Sequence, residues 1–171
     1  MPAPIVCIVG RPNCGKTTLI ERLIPALARL GVRVGTIKHH HGPFEMDVPG
    51  KDTWRHRAAG AAVTVLASPA GLGLVRDTAA DPDLDTLRDQ FFPDVDVILA
   101  EGYKRGNKPK IEVVRPDLHP TPLDGRDATW IAVVAPPSDP SPLPCFPPHD
   151  ADGLARFLVT RFLPEGGPLR S

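Results

Sequence analysis

The chain has 171 residues, 42% of them hydrophobic, which suits one packed core and excludes a disordered segment as the starting expectation. Twenty basic residues cancel twenty acidic ones, so no overall field draws the chain to nucleic acid or to a membrane surface. Three cysteines, Cys7, Cys14 and Cys145, are odd in number and lack zinc-type spacing, as expected in a reducing compartment. Met1 to Pro4 carries no basic leader, and the apolar run behind it breaks at Gly10, short of the roughly 20 residues that span a bilayer. A cytoplasmic protein without membrane or nucleic-acid partners is the expectation.

In chain order, Ile5 to Val9 is a β-branched apolar run, read as a strand buried on both faces. From Thr17 to Leu30 the apolar residues Leu19, Ile20, Leu23, Ile24 and Leu27 recur at helical spacing, and Gly31 supplies the stop. Pro25 should kink this helix without ending it. A second strand covers Val32 to Ile37, a polar loop Lys38 to Lys51, and a short helix Asp52 to Ala59 with Asp52 as its cap. Ala61 to Ala67 and Leu72 to Arg76 read as a hairpin turning at Ser68-Pro69-Ala70-Gly71. A helix over Leu84 to Phe92 leads to a buried strand at Val95 to Ala100, which includes Asp96. A shorter strand follows at Ile111 to Val114, and Thr129 to Ala135 is expected to be the last. The proline-rich stretch from Pro136 to Pro148 reads as a connector without regular structure. Asp150 to Phe162 closes as an amphipathic helix.

Alternating strands and helices, with strands apolar on both faces, predict an α/β three-layer sandwich around a largely parallel sheet. The hairpin and the strand near Ile111 are expected to add antiparallel edge strands. One nucleotide-binding domain is expected over residues 1–163, with a flexible tail at 164–171.

Gly10-Arg11-Pro12-Asn13-Cys14-Gly15-Lys16-Thr17 fits G-x-x-x-x-G-K-[ST] at every fixed position and stands between a strand and a helix. A chance match over this length is on the order of half a per cent. The chemistry requires these residue types. Backbone N–H groups from Gly10 through Thr18 form an anion nest, and the helix that starts there points its positive end at the phosphates. Lys16 reaches the outer phosphates, and the Thr17 hydroxyl belongs on the Mg²⁺ that accompanies a nucleoside triphosphate.

Such a site also needs a carboxylate at the end of a neighbouring strand. Glu101 follows the apolar run of Val97 to Ala100 and is the expected second metal-side residue, with Gly102 turning the chain behind it. Asp47, in the loop after the second strand, is a further candidate for the metal. Lys38 and His39, at the end of that strand, are candidates for anion contact. His39, His40 and His41 alternate sides on extended chain, so substrate or partner contact is the expectation rather than a metal site. Lys104, Arg105, Lys108 and Lys110 are candidates for phosphate or an acidic partner. Asn107-Lys108-Pro109-Lys110 is superficially like the N-K-x-D guanine-reading motif, but its fourth position is Lys, which cannot accept the guanine N1 and N2 protons, so it is set aside. Asp139 is a possible base reader, and the base does not follow from the motifs.

With these residues in hand, the chain resembles the MobB family of molybdopterin-guanine dinucleotide biosynthesis adapter proteins. Four stretches carry the likeness: Gly10 to Ile20, Lys38 to Ala62, Asp96 to Lys104 and Lys110 to Arg115. The resemblance implies a GTP-binding protein with weak intrinsic GTPase activity that assists the molybdenum cofactor guanylyltransferase. It implies Mg²⁺ as cofactor, held by Thr17 and Glu101, and a homodimer whose edge strands pair across subunits. The segment Lys38 to Asp52, with His41, would face the nucleotide, the partner enzyme or a molybdopterin-type ligand. Two other readings stand beside this adapter: a P-loop small-molecule kinase or ligase, and a metallochaperone GTPase using His39 to His41.

Overall fold

The computed structural model describes residues 2–136 and 141–163. The tail at 164–171 and Asp139 lie outside the described residues. The chain divides into two compact units, Met1–His39 with Leu84–Ser171, and His40–Asp83. Among the described residues no helix is long and apolar enough to cross a membrane.

The first unit is built on a six-stranded, wholly parallel sheet. Its strands are β1 (Ile5–Val9), β2 (Val34–Lys38), β5 (Val97–Glu101), β6 (Lys110–Val113), β7 (Trp130–Val134) and β8 (Cys145–Phe146), in the order β2-β5-β1-β6-β7-β8. Both faces of β1 are covered, as its unbroken apolar run requires. Val6 and Ile8 join a core with α1 (Lys16–Arg29) and α4 (Ala151–Phe162), built from Leu19, Leu23, Leu27, Leu154 and Leu158. Ile5, Cys7 and Val9 face the other way, into a core with Leu84 of α3 (Leu84–Phe91) and Trp130. That gives the expected three layers. Helix α1 runs on through Pro25 and stops where Gly31, at φ 77°, donates to the Ala28 carbonyl.

Three expectations for this unit need correction. The strand near Ile111 is neither antiparallel nor at an edge: β6 lies parallel between β1 and β7. Strand β7 is not the last. Within the proline-rich stretch, Cys145–Phe146 forms β8, with Val133 donating to the Pro144 carbonyl and Ala135 to the Phe146 carbonyl. Proline is tolerated there because β8 is an edge strand needing few donors, and the Phe146 ring seats against Phe157 of α4. Asp96 precedes β5, and its carboxylate takes the Arg33 N–H at 2.7 Å.

The second unit holds α2 (Asp52–Ala58) and the antiparallel hairpin of β3 (Val63–Ser68) and β4 (Gly71–Arg76), which turns at Ser68–Gly71. Asp52 is the first residue of α2 and not its cap; Lys51 holds the cap position. The hairpin strands pair with each other, as a sheet of two.

Candidate functional site

Parallel strands bring their carboxyl ends to one edge. Strand β1 sits between β5 and β6, so its end lies where the strand order reverses, the position at which open α/β sheets take ligands. The loop from Gly10 to Gly15 leaves β1 there and runs into α1.

Its backbone is specialised. Asn13 and Gly15 have φ of 58° and 96°, left-handed conformations that turn successive N–H groups toward one concavity. The N–H groups of Asn13 and Gly15 meet no acceptor among the described residues. Gly15 caps α1 without a side-chain hydrogen bond, so the helix start keeps its free donors and partial positive charge. A Cβ on Gly10 would stand 2.6 Å from the Val113 carbonyl and from Cys14 Sγ. At Gly15 no protein atom would meet a Cβ, so there the demand comes from φ.

The charges follow the loop. Lys16 Nζ donates to the Arg11 carbonyl at 2.8 Å and the Gly10 carbonyl at 3.4 Å, which holds the ammonium over the loop. Thr17 Oγ1 stands 3.1 and 3.0 Å from the two oxygens of Glu101, whose side chain is only 14% exposed. Lys38, the last residue of β2, puts Nζ 3.6 Å from the same carboxylate. Gly102 turns at φ 100°, and His39 stacks against Tyr103 with ring centroids 4.6 Å apart. Thr18 is exposed on the first turn of α1, and Lys104 is exposed beyond Gly102.

This corner suits a hard dication. Its donors are one hydroxyl and one carboxylate, all oxygen, beside a backbone nest and a lysine. Among the described residues, no group of three or more His, Cys, Asp or Glu could hold a metal ion. Asp47 belongs to the second unit. There Oδ1 takes the Thr53 hydroxyl and the Val48 N–H, both at 2.9 Å, on the wall of an open cavity of about 530 Å³ with Phe44, Trp54 and Arg57. His40 and His41 lie at the start of the same unit, in chain without regular structure.

Two of the basic candidates are engaged elsewhere. Lys110 is 1% exposed, its ammonium donating to the Gly106 carbonyl and the Thr129 hydroxyl and lying 4.8 Å above the Trp130 ring. Lys108 is bound to Asp85, whose carboxyl it holds below the usual carboxylate range. Their place in a run of charge gave no hint of this: Lys110 pairs in register with Trp130 of β7, and Lys108, ahead of β6, reaches Asp85 of α3.

Sequence reasoning missed the far side of the loop. Arg11 donates to the Thr121 and Pro122 carbonyls, and His119 Nε2 lies 2.8 Å from the Pro12 carbonyl, so the segment after β6 clasps the crest of the loop. Beside it lies a cavity of about 170 Å³ lined by Gly15, Thr18, Arg22, Val113, Arg115, Val134 and Pro148, among others. Arg115 ends the run Lys110 to Arg115 at the carboxyl edge of a parallel strand, a position that could have flagged it.

The chain is similar to known proteins over most of its length. The family model for MobB, molybdopterin guanine dinucleotide synthesis protein B, matches residues 5–136. A molybdopterin-guanine dinucleotide biosynthesis adapter protein from Escherichia coli K12 is 34% identical over 171 residues, covering 96% of each chain. The one from Haemophilus influenzae is 37% identical over 131 residues, 76% of this chain and 73% of its own. Among solved structures, Bacillus subtilis MobB superposes with a TM-score of 0.72 at 30% identity, covering 93% of this chain and 98% of its own.

Proposed function

Because the chain belongs to the MobB family, we propose that it is a GTP-binding adapter that assists the guanylyltransferase joining GMP to molybdopterin. The observation that carries the reading is the loop Gly10–Thr18, with Lys16 over it and the Thr17–Glu101 pair at its end. The adapter role is supported by the names of its relatives.

Thr17 and Glu101 would hold Mg²⁺, which supplies charge neutralisation for the outer phosphates. The chain's own contribution is electrostatic. The loop donors and the start of α1 bind phosphate oxygens, Lys16 adds a point charge, and Lys38 adds a second cation beside Glu101. These groups bind and orient; they favour a slow GTPase whose main task is to present nucleotide to a partner. Lys38, His39, His41 and Lys104 are the proposed contacts to partner or molybdopterin-type ligand. The exposed hairpin of the second unit is the proposed homodimer contact.

The test is calorimetric titration of the purified protein with GTP, with and without Mg²⁺, followed by the same titration in the presence of guanylyltransferase. Mg²⁺-dependent GTP binding, and association of the two proteins, are expected. Preference for ATP would leave the phosphate loop standing and move the assignment to a small-molecule kinase or ligase.

A further inference from the structure

Resting on the reading just given, that a nucleoside triphosphate lies on the loop Gly10–Thr18, we propose that Arg115 selects the base by reading only the O6 and N7 edge of a purine, so that guanine and hypoxanthine are accepted alike and adenine is rejected.

The site has a direction. Lys16 and the Thr17–Glu101 pair mark the triphosphate end on the β5 flank of β1, where Lys38 adds its charge. The nucleoside must leave on the other flank, past Gly15 and Thr18. There the cavity of about 170 Å³ opens against the ends of β6 and β7. It is smaller than the ~300 Å³ and upward typical of sites for drug-sized ligands, a size for one flat ring system. Val113, Val134 and Pro148 give it apolar walls, and Arg22 and Arg115 give it its charged groups.

Of the two, Arg115 is the one held in place. Its Nε and Nη2 are taken by the two oxygens of Asp117 at 3.0 and 2.7 Å, and its carbonyl accepts the Leu118 and His119 N–H groups. Arg22 is exposed and makes a single 3.3 Å bond to the Pro148 carbonyl. A guanidinium offers two forks of donors. Asp117 occupies one, and Nη1 of the other has no acceptor among the described residues. A guanidinium with one fork paired to Asp117 and the other half-engaged is matched by the paired acceptors O6 and N7 of guanine. Adenine presents an amino donor at C6, which would set donor against donor. Hypoxanthine keeps O6 and N7 and lacks only the 2-amino group. A carboxylate reader would instead bind N1–H and the 2-amino group, so it would separate inosine from guanosine. Inosine triphosphate is therefore the deciding probe.

The experiment is calorimetric titration of the full chain with Mg²⁺ and GTP, ITP or ATP. GTP and ITP should bind within about threefold of each other and ATP about tenfold or more weakly. Arg115→Ala should lower GTP and ITP to the level of ATP and leave ATP unchanged. Lys16→Ala should weaken all three and preserve their ratio. GTP about tenfold tighter than ITP would overturn the proposal in favour of a carboxylate reader. Equal binding of GTP, ITP and ATP would also overturn it, with the phosphate loop intact. Absence of Mg²⁺-dependent binding of any of them would instead sink the reading beneath it. Should Arg115→Ala fail to fold by circular dichroism, the three-nucleotide comparison on the unmodified chain decides alone.

Discussion

The Thr17 hydroxyl lies 3.0 and 3.1 Å from the two carboxylate oxygens of Glu101, tying the first turn of α1 to the end of β5. On the reading proposed above, these two side chains would hold Mg²⁺. Glu101→Gln keeps the shape and removes the charge. It should lower GTP affinity in Mg²⁺ by about 10- to 100-fold, on the scale of changes around metal ligands, and leave affinity in EDTA unchanged. Equal loss with and without Mg²⁺, measured by calorimetry, would show that Glu101 serves the loop and not the metal.

Lys16 rests on the carbonyls of Arg11 and Gly10 and is poised above the nest. Lys16→Ala should weaken triphosphate binding far more than guanosine binding. Loss of both in equal measure would mean that Lys16 acts through folding of the loop. Hydrolysis by the protein alone should fall near that of unassisted P-loop GTPases, about 10⁻⁴ to 10⁻² per second. A phosphate-release assay giving more than about 10 per second would contradict the adapter reading.

The loop from Gly10 to Thr17 was legible because its pattern is local: eight consecutive residues, with a strand before and a helix behind, as the structure has them. Glu101 was legible for a related reason, since a carboxylate directly after a buried run falls at the carboxyl edge of a parallel sheet. What escaped was set by pairing over long distances. The parallel placement of β6 depends on Cys7 facing Lys110, over a hundred residues away, and no period in the Ile111 run encodes direction. The two-residue β8 is masked by surrounding prolines, and only its partner β7 and the Phe146–Phe157 contact explain it. The burial of Lys110 and Glu112, which makes a hydrophilic-looking strand part of the interior, rests on Thr129 and Arg126 arriving from a later loop.

The hairpin register places Val63, Val65, Ala67, Leu72 and Leu74 on one face. Val65 is 48% and Leu72 71% exposed. A two-stranded sheet is marginal in water alone, and an apolar face of this kind marks an interaction surface. Val65→Glu with Leu72→Glu should convert a dimer to monomer in sedimentation velocity while leaving GTP affinity unchanged. An unmodified chain that sediments as a monomer at micromolar concentration would refute the homodimer.

Glu112 is buried, its side chain 2% exposed, and its carboxylate is held by the Arg126 guanidinium at 2.7 Å and the Leu123 N–H at 2.6 Å. Removing one partner strands a charge in the interior. Arg126→Met should cost about 3–5 kcal/mol of stability in urea denaturation, the range for broken buried pairs. The double change Glu112→Gln with Arg126→Met should recover part of that loss. Additive effects of the two substitutions would show that the pair is not coupled.

Burial pushes the Cys7 thiol up from 9.0 to about 11, against the pull of the Lys110 and Lys108 charges. Between these values the unfolded chain gives up its proton and the folded chain keeps it. The unfolded state then binds fewer protons, so stability falls as pH rises through this window, by up to about 1.4 kcal/mol per pH unit. Below pH 9 both states hold the proton and this contribution is constant. Cys7→Ala should flatten the profile between pH 9 and 11 relative to the unmodified chain, whatever its effect at neutral pH. Parallel profiles in urea denaturation across that window would show that other groups govern the alkaline limit.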